Sequence, residues 1–425
     1  MKLLHVHERA TFHGGVEQIL HDTAQGLAAR GWDQALLHSE PQTDSEFLAP
    51  FSESSTGLDI LSRFRPDVLL LHKVSDPELV ASISHAHPAV RMVHDHDLVC
   101  LRRHKYFPLS GRICDKPAGW QCYSNLCFVN RNPAEGGLPV TIRTVGPQKK
   151  GINAQRDMRR FVVGSRWMQD ELVMNGIAEE RIQVIHPIPA SLAQIQPLPH
   201  QSEHEILFVG QVIRGKGVDL LLQALARVAQ PWHLTIVGTG NHLDHCRRLA
   251  ATLGITGQVE FAGWVPHREL ERYYARAAFT VVPSRWPEPF GMVGVEAMAR
   301  GRAVGGFSAG GRPDWLCHGV NGLLDALAQV ARGVVVAALK RLDEMRFRLL
   351  YANESEAGAD SILVPACDRL LKEFGDALAN DLNTSEALAA LFGFVREVNQ
   401  GIDGERLVAG DRQRVLESLD RVDEV

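Results

Sequence analysis

The strongest constraint on this chain is a local unit that occurs twice: a short apolar run, a glycine turn and an amphipathic helix. The first copy comprises residues 3–6, Gly14-Gly15 and a helical period over residues 16–29 that ends at Gly31. The second comprises residues 205–209, Gly215-Lys216-Gly217 and a helix running to about Ala229. Further short apolar runs follow each copy, at 68–71, 91–93, 161–164 and 183–185, and then at 233–237, 259–261 and 279–282. Short apolar runs alternating with helices are the pattern of a parallel sheet buried on both faces. Two α/β domains in tandem are therefore expected, at 1–186 and 205–334. The proline-punctuated stretch 187–204 reads as the linker between them, and the domains are expected to face a ligand cleft at strand C-terminal ends.

Length agrees with this division, because 425 residues exceed what one hydrophobic core organises. A net charge of -5 with 22% charged residues excludes a chain built throughout for nucleic acid or for disorder. The acidity is local: residues 335–425 carry 11 Lys and Arg against 18 Asp and Glu, a net -7. That segment loses the strand signals and reads as amphipathic helices at 337–349, 366–379 and 385–399, a C-terminal α-helical segment beyond the two α/β domains. Seven cysteines, an odd number, do not form a disulfide framework, and no run reaches the ~18 apolar residues of a membrane helix. A cytoplasmic location is expected, with peripheral attachment to the inner face of a membrane as a variant.

The most informative string is Pro283-Ser284-Arg285-Trp286-Pro287-Glu288-Pro289-Phe290-Gly291-Met292-Val293-Gly294-Val295-Glu296. Glu288 lies in a loop punctuated by Pro and Gly, and Glu296 about one turn inside the helix that follows. Unpaired N–H groups and the positive dipole end at such a helix start suit a diphosphate. A carboxylate one turn further in can accept hydrogen bonds from two ribose hydroxyls. The plainer reading is a loop carboxylate and a solvated helix residue.

This string resembles the signature of retaining glycosyltransferases of family 4, which have the GT-B fold of two Rossmann-like domains. The similarity extends to Phe208-Val209-Gly210-Gln211 with Lys216-Gly217-Val218-Asp219, to Ile236-Val237-Gly238-Thr239-Gly240, and to Gly310-Gly311 with Asp314 and Gly319-Val320-Asn321-Gly322, over about residues 1–324. The resemblance implies a UDP- or GDP-sugar donor, a glycan or lipid-linked hydroxyl acceptor in envelope polysaccharide or glycolipid synthesis, and no required cofactor. It places Glu296 on the donor ribose, Glu288 facing the transferred sugar, and Phe290, Gly291 and Met292 near the diphosphate or sugar. Gly210, Gly238 and Gly240 belong to the same donor site, and Lys216 neutralises phosphate charge as the nucleotide leaves. The family has Arg where this chain has Gln211; Arg214, three residues on, either supplies that charge or is a surface residue.

By the same resemblance Gly14-Gly15 lies in a loop that contacts acceptor or donor phosphate, although a tight turn alone also explains it. His94-Asp95-His96-Asp97 follows an expected strand. His94 is the residue expected near the reacting sugar, with Asp95 holding it, and a metal site is the alternative. Cys100, Cys114, Cys122 and Cys127 cluster in sequence and either hold a structural zinc or are free thiols. Basic residues gather at Arg102, Arg103, His104 and Lys105 and again at Arg143, Lys149, Lys150, Arg156, Arg159 and Arg160. They form a solvated face or attract anionic lipid or a phosphate-bearing acceptor.

From about Ala337 the chain is similar to the helical region of cysteinyl-tRNA synthetases, most clearly over residues 379–392 and 395–399. Asn383-Thr384 with Glu386 has the form of a capping box, and Leu388, Leu391, Phe392 and Val395 form an apolar stripe. Aminoacylation is not expected, since the synthetase catalytic motifs are missing from the sequence. tRNA binding is disfavoured by the net -7. The transferase domain reads as shortened after Leu324. The competing reading is thus a catalytically weakened fusion protein whose tail binds a protein or tRNA. A glycan phosphorylase would need a pyridoxal phosphate lysine motif, which is not found.

Overall fold

A computed structural model describes residues 1–131, 140–189, 204–266, 269–318 and 321–325. In the C-terminal region it describes 363–379, 394, 397–398, 400–402, 408 and 410–423, and in the linker positions 192, 195 and 198. The expected helix at 337–349 lies outside these residues, as do most of the expected helix at 385–399, the capping box and most of the linker.

The chain forms two compact units. The first holds Met1–Gln194 together with Arg285–Met292 and Ala309–Asp314; the second holds the remainder. In the first unit, strands β1 (Lys2–His7), β2 (Asp33–His38), β3 (Glu53–Ser55), β4 (Val68–Leu71) and β5 (Ala89–Val93) precede a short antiparallel hairpin, β6 (Val129–Arg131) and β7 (Val140–Ile142). Strands β8 (Arg160–Val163) and β9 (Ile182–Val184) complete a seven-stranded sheet. Its order is β3-β2-β1-β4-β5-β8-β9, with every pairing parallel. The chain thus starts in the middle of the sheet, winds to one edge, returns and winds to the other, so the order reverses beside β1 and β4. Helices begin where the sequence signals them. Asp76 caps helix Pro77–Ala86, accepting from the N–H of Glu78 at 2.9 Å and of Leu79 at 3.3 Å, with Pro at the first helical position.

The second unit repeats the plan with β10 (Glu205–Val209), β11 (His233–Val237), β12 (Val259–Gly263), β13 (Phe279–Val282), β14 (Ala303–Phe307) and β15 (Gly322–Asp325). Its order is β12-β11-β10-β13-β14-β15, again parallel throughout. The reversal falls between β10 and β13, where Gly217 (φ +71°) lies so close that an added Cβ would sit 1.9 Å from the Pro283 carbonyl oxygen. Only glycine meets both demands. In β14, Gly305 and Gly306 interrupt the apolar run, yet both are buried in a strand with neighbours on either side.

Helices Val364–Ala379 and Asp411–Asp423 form part of this unit. Leu363, Ala366, Cys367, Leu370, Phe394, Val398 and Val415 are buried in the same apolar cluster as Phe208, Leu221, Ile236 and Phe279. The described helices of the acidic segment therefore bury apolar side chains in the core of the second sheet. No helix among the described residues is long and apolar enough to cross a membrane.

Candidate active site

In the second unit the expected donor residues gather at the C-terminal ends of β10 and β11. Gly210 N–H donates to Val237 O at 3.0 Å and Val212 N–H to Thr239 O at 2.9 Å, so the two strand-end loops run side by side, with Gly238 and Gly240 among them. Gln211 and Arg214 are exposed; Lys216 is half-buried in a short 3-10 turn before helix Val218–Leu225. That helix starts at Val218, later than expected, because Gly217 breaks the turn. Glu296 is half-buried on helix Met292–Ala299, beside the hydroxyl of Tyr274. Tyr274 is wholly buried, and burial first, then the Glu296 carboxylate, push its phenol well above the ordinary range. A carboxylate has about four acceptor positions, so this contact leaves Glu296 able to take ligand hydroxyls.

The Glu288 loop belongs to the first unit. Glu288 is buried, and its Oε1 lies 3.5 Å from Nη1 of Arg312, a guanidinium with no exposed surface. Burial draws Arg312 down to about 10, and Glu288 works the other way. The loop is clasped from behind: Gly311 N–H donates to Glu288 O at 2.8 Å, and at Gly310 (φ +64°) a Cβ would lie 2.2 Å from that oxygen. Ser165 Oγ donates to Pro289 O at 2.6 Å, His96 Nε2 to Pro287 O at 2.7 Å, and Phe290 stacks on His186 with centroids 5.2 Å apart. Gly291 is buried and Met292 half-buried at the helix start. Glu288 thus enters as half of a buried ion pair. Arg312, distant in sequence and outside the recognised string, carried no signal of this.

His94 follows β5, as expected, but its partner differs. Asp95 pairs with Lys73, its Oδ2 lying 3.1 Å from Nζ, and accepts from the Asp97 N–H at 2.8 Å. His94 instead ends a file of three imidazoles across β5, β4 and β1. His94 Nε2 lies 3.0 Å from His72 Nδ1, His72 Nε2 3.0 Å from His5 Nδ1, and His5 Nε2 2.9 Å from Gln34 Oε1. Gln34 Nε2 donates to Ala24 O at 2.8 Å, which turns its Oε1 toward His5. A neutral His5 must then carry its proton on Nε2. The same requirement passes to His72 and to His94, leaving His94 Nδ1 as an acceptor. Burial keeps all three rings neutral: His5 is pushed down to about 4, His94 to about 3, and His72 well below its ordinary value. Partners separated by 22 to 67 positions have no sequence signature.

Gly14 is extended and exposed, and it precedes helix Gly15–Ala28, whose first turn has no side-chain cap. The four clustered cysteines are free thiols that lie near one another; burial, then the neighbouring sulfurs, raise Cys127 to about 11. Among the described residues no group of three or more His, Cys, Asp or Glu is arranged to hold a metal ion. Of the basic residues that gather in the sequence at 102–105, Lys105 is buried, against Glu171, Nζ to Oε2 2.7 Å, and donates to Lys116 O at 2.8 Å.

Residues 193–329 match the family described as Glycosyl transferases group 1, and residues 373–423 match the DALR domain, within the segment resembling cysteinyl-tRNA synthetases. The chain is 32% identical over 270 residues to D-inositol 3-phosphate glycosyltransferase 1 of Catenulispora acidiphila, covering 58% of this chain and 63% of that one. It spans less than two thirds of the length of this and the other curated relatives it matches first. Among solved structures it is similar to the lipopolysaccharide outer core galactosyltransferase WaaB (TM-score 0.55, 17% identity, 81% of this chain and 95% of that one). It is also similar to HepE of Anabaena in complex with UDP (TM-score 0.54, 16% identity, 99% and 100%). These likenesses are of fold, and the fold is GT-B with a C-terminal helical segment.

Proposed function

We propose that this chain transfers a hexosyl group from a UDP- or GDP-sugar to a hydroxyl of a glycan or lipid-linked acceptor, with retention of configuration and without a required cofactor. The observation that carries this reading is the order reversal of the second sheet, where Gly210, Lys216, Gly238 and Gly240 collect at strand ends within the segment matched to Glycosyl transferases group 1. Open crevices at such reversals are where α/β sheets bind nucleotides. In this reading the loop N–H groups and Lys216 receive the diphosphate, with Arg214 supplying the charge that Gln211 lacks. Glu296 accepts from the ribose hydroxyls, and Glu288, held neutral as a pair by Arg312, faces the transferred sugar with Phe290, Gly291 and Met292. The Gly14-Gly15 turn offers backbone N–H groups to a phosphate. His94 offers Nδ1 as an acceptor for a sugar hydroxyl, its tautomer set at Gln34.

The test is a thermal-shift screen of nucleotides and nucleotide sugars, followed by donor turnover in wild type and Glu296→Ala. One selective nucleotide should raise the melting temperature, and Glu296→Ala should weaken its binding by roughly ten-fold or more. Unchanged donor affinity and turnover in that variant would overturn the assignment.

A further inference from the structure

Between β5 and helix Val145–Asn153 the chain makes a long excursion that has no apolar core of its own. Among the described residues of 102–142, only Lys105 and Cys127 are buried. An ion pair and backbone bonds hold the excursion in place instead. Lys105 pairs with Glu171 of helix Arg166–Met174, and Ala118 N–H donates at 2.9 Å to Oδ1 of Asn175, just past that helix. Two turns rise from this base. Phe107 N–H donates to Arg112 O at 2.9 Å across the first, which carries Leu109, and Cys127 N–H donates to Cys122 O at 2.8 Å across the second. Cys114, just after the first turn, lies near Cys122, so the two turns are neighbours. Val145 N–H donates to the Tyr123 hydroxyl at 2.9 Å, which brings helix Val145–Asn153 alongside the second turn.

The apolar side chains of these turns face water. Leu109 is 78% exposed, Trp120 76% and Ile142 70%, and Tyr123 and Leu126 are exposed as well. Thirteen large apolar side chains are exposed among the described residues, and five of them fall in this one excursion. Leu126 is held there at a cost. Helix Gln121–Ser124 is capped by Asn125, and Leu126 takes φ +56°, at the left-handed position after a helix end where glycine is usual. A branched side chain is kept against the preference of the backbone, yet it contributes to no core.

Charge is concentrated in the same place. Residues 100–150 carry nine Lys and Arg against two Asp and Glu, a net +7 in a chain whose total is -5. Lys116 and Lys150 are paired with Asp115 and Glu78, whereas Arg103, Arg112, Arg143 and Lys149 are exposed without an ion pair among the described residues. We infer that this excursion docks the protein on a bilayer surface containing anionic phospholipid. Trp120, Leu109 and Leu126 enter the headgroup layer, and Arg112 and Lys149 meet lipid phosphates. Rings with a polar edge settle at such an interface, aliphatic side chains reach the acyl boundary, and cations are drawn to the negative surface. A nucleic-acid strand would be met by stacking rings, and Leu109, Leu126 and Ile142 offer none. Docking here requires neither the transfer reaction nor the residues proposed for the nucleotide.

The experiment is sedimentation of the full chain with phosphatidylcholine vesicles, with and without phosphatidylglycerol, at low and high salt. Binding should require the anionic lipid and weaken as salt rises. Leu109→Ser combined with Trp120→Ser should lower vesicle affinity roughly ten-fold or more. Arg112→Gln should lower it roughly five-fold, whereas Arg248→Gln, at an exposed position of the second unit, should leave it unchanged. Leu126→Gly should weaken vesicle binding while the protein melts at the same or a higher temperature, since glycine accepts the positive φ, and it serves if the double serine variant fails to fold. Vesicles brominated on the acyl chains should quench the emission of the wild type more than that of Trp120→Phe. No sedimentation with phosphatidylglycerol vesicles, unchanged binding in the apolar variants, or equal losses in Arg112→Gln and Arg248→Gln would each overturn the inference. Tighter binding to a single-stranded RNA than to the vesicles, or a dimer that the serine substitutions disperse, would give the surface another occupant and overturn it as well.

Discussion

Lowering the pH from 7 to 5 should destabilise the first unit by several kcal/mol, because its buried histidines refuse the proton that the unfolded chain accepts. Burial holds His5 and His96 at about 4 and His94 at about 3, with His72 also well below 6.5. The folded values lie below the unfolded one, so protons favour the unfolded chain, and the loss sets in as pH falls through about 6.5. At pH 5 each ring then withholds about 2 kcal/mol relative to pH 7, and four rings roughly 7 to 8 kcal/mol. Asp97 opposes them. Raised to about 6 by burial and by Asp95, it takes up a proton in the folded state and returns about 1 kcal/mol. The net loss is about 6 kcal/mol, comparable with the whole stability of many domains. Urea denaturation at pH 7 and pH 5 measures it. His94→Gln, with one titrating ring fewer, should recover about 2 kcal/mol of the difference between the two pH values, whatever it does to stability at pH 7. A free-energy difference under about 1 kcal/mol between the two pH values would refute the account of a neutral imidazole file.

Three further outcomes are expected. Gly217→Ala forces a Cβ against the Pro283 carbonyl at a positive φ and should cost about 2 kcal/mol or more, read as a lowered melting temperature. Lys105→Met leaves Glu171 buried without its ammonium and should destabilise by roughly 3 to 5 kcal/mol in urea, whereas Lys149→Met, on an exposed residue, should be within about 0.5 kcal/mol of wild type. Arg312→Met removes the guanidinium beside the buried Glu288 carboxylate and should lower both melting temperature and donor turnover; unchanged turnover would remove Arg312 as the group that positions Glu288.

The plan of both sheets was legible because β4 is an unbroken apolar run and β1, β10, β11 and β13 are mostly apolar, the texture of parallel strands covered on both faces. Strand β14 was not legible, since Gly305 and Gly306 break the apolar run and carry no hydropathy signal. The loop before helix Met292–Ala299 was found by its string of residues, but the environment of each carboxylate was not. Arg312 reaches Glu288 and Tyr274 reaches Glu296 through folding alone. His94 was identified by its place after a strand, and Asp95 was assigned as its partner through adjacency. Both residues lie past the end of β5, where the chain turns, and Asp95 meets Lys73 while His94 meets His72.

The helices after residue 362 share their apolar interior with the floor of the second sheet, so anything gripping their outer acidic faces acts on the whole unit. A protein seated there would raise the unfolding temperature of the lysine-bearing loop and its sheet together, by mass action. Conversely, deleting the helices would remove Leu363, Leu370 and Val415 from the apolar cluster that they share with Ile236 and Phe279 and open part of it to water, leaving an adhesive surface.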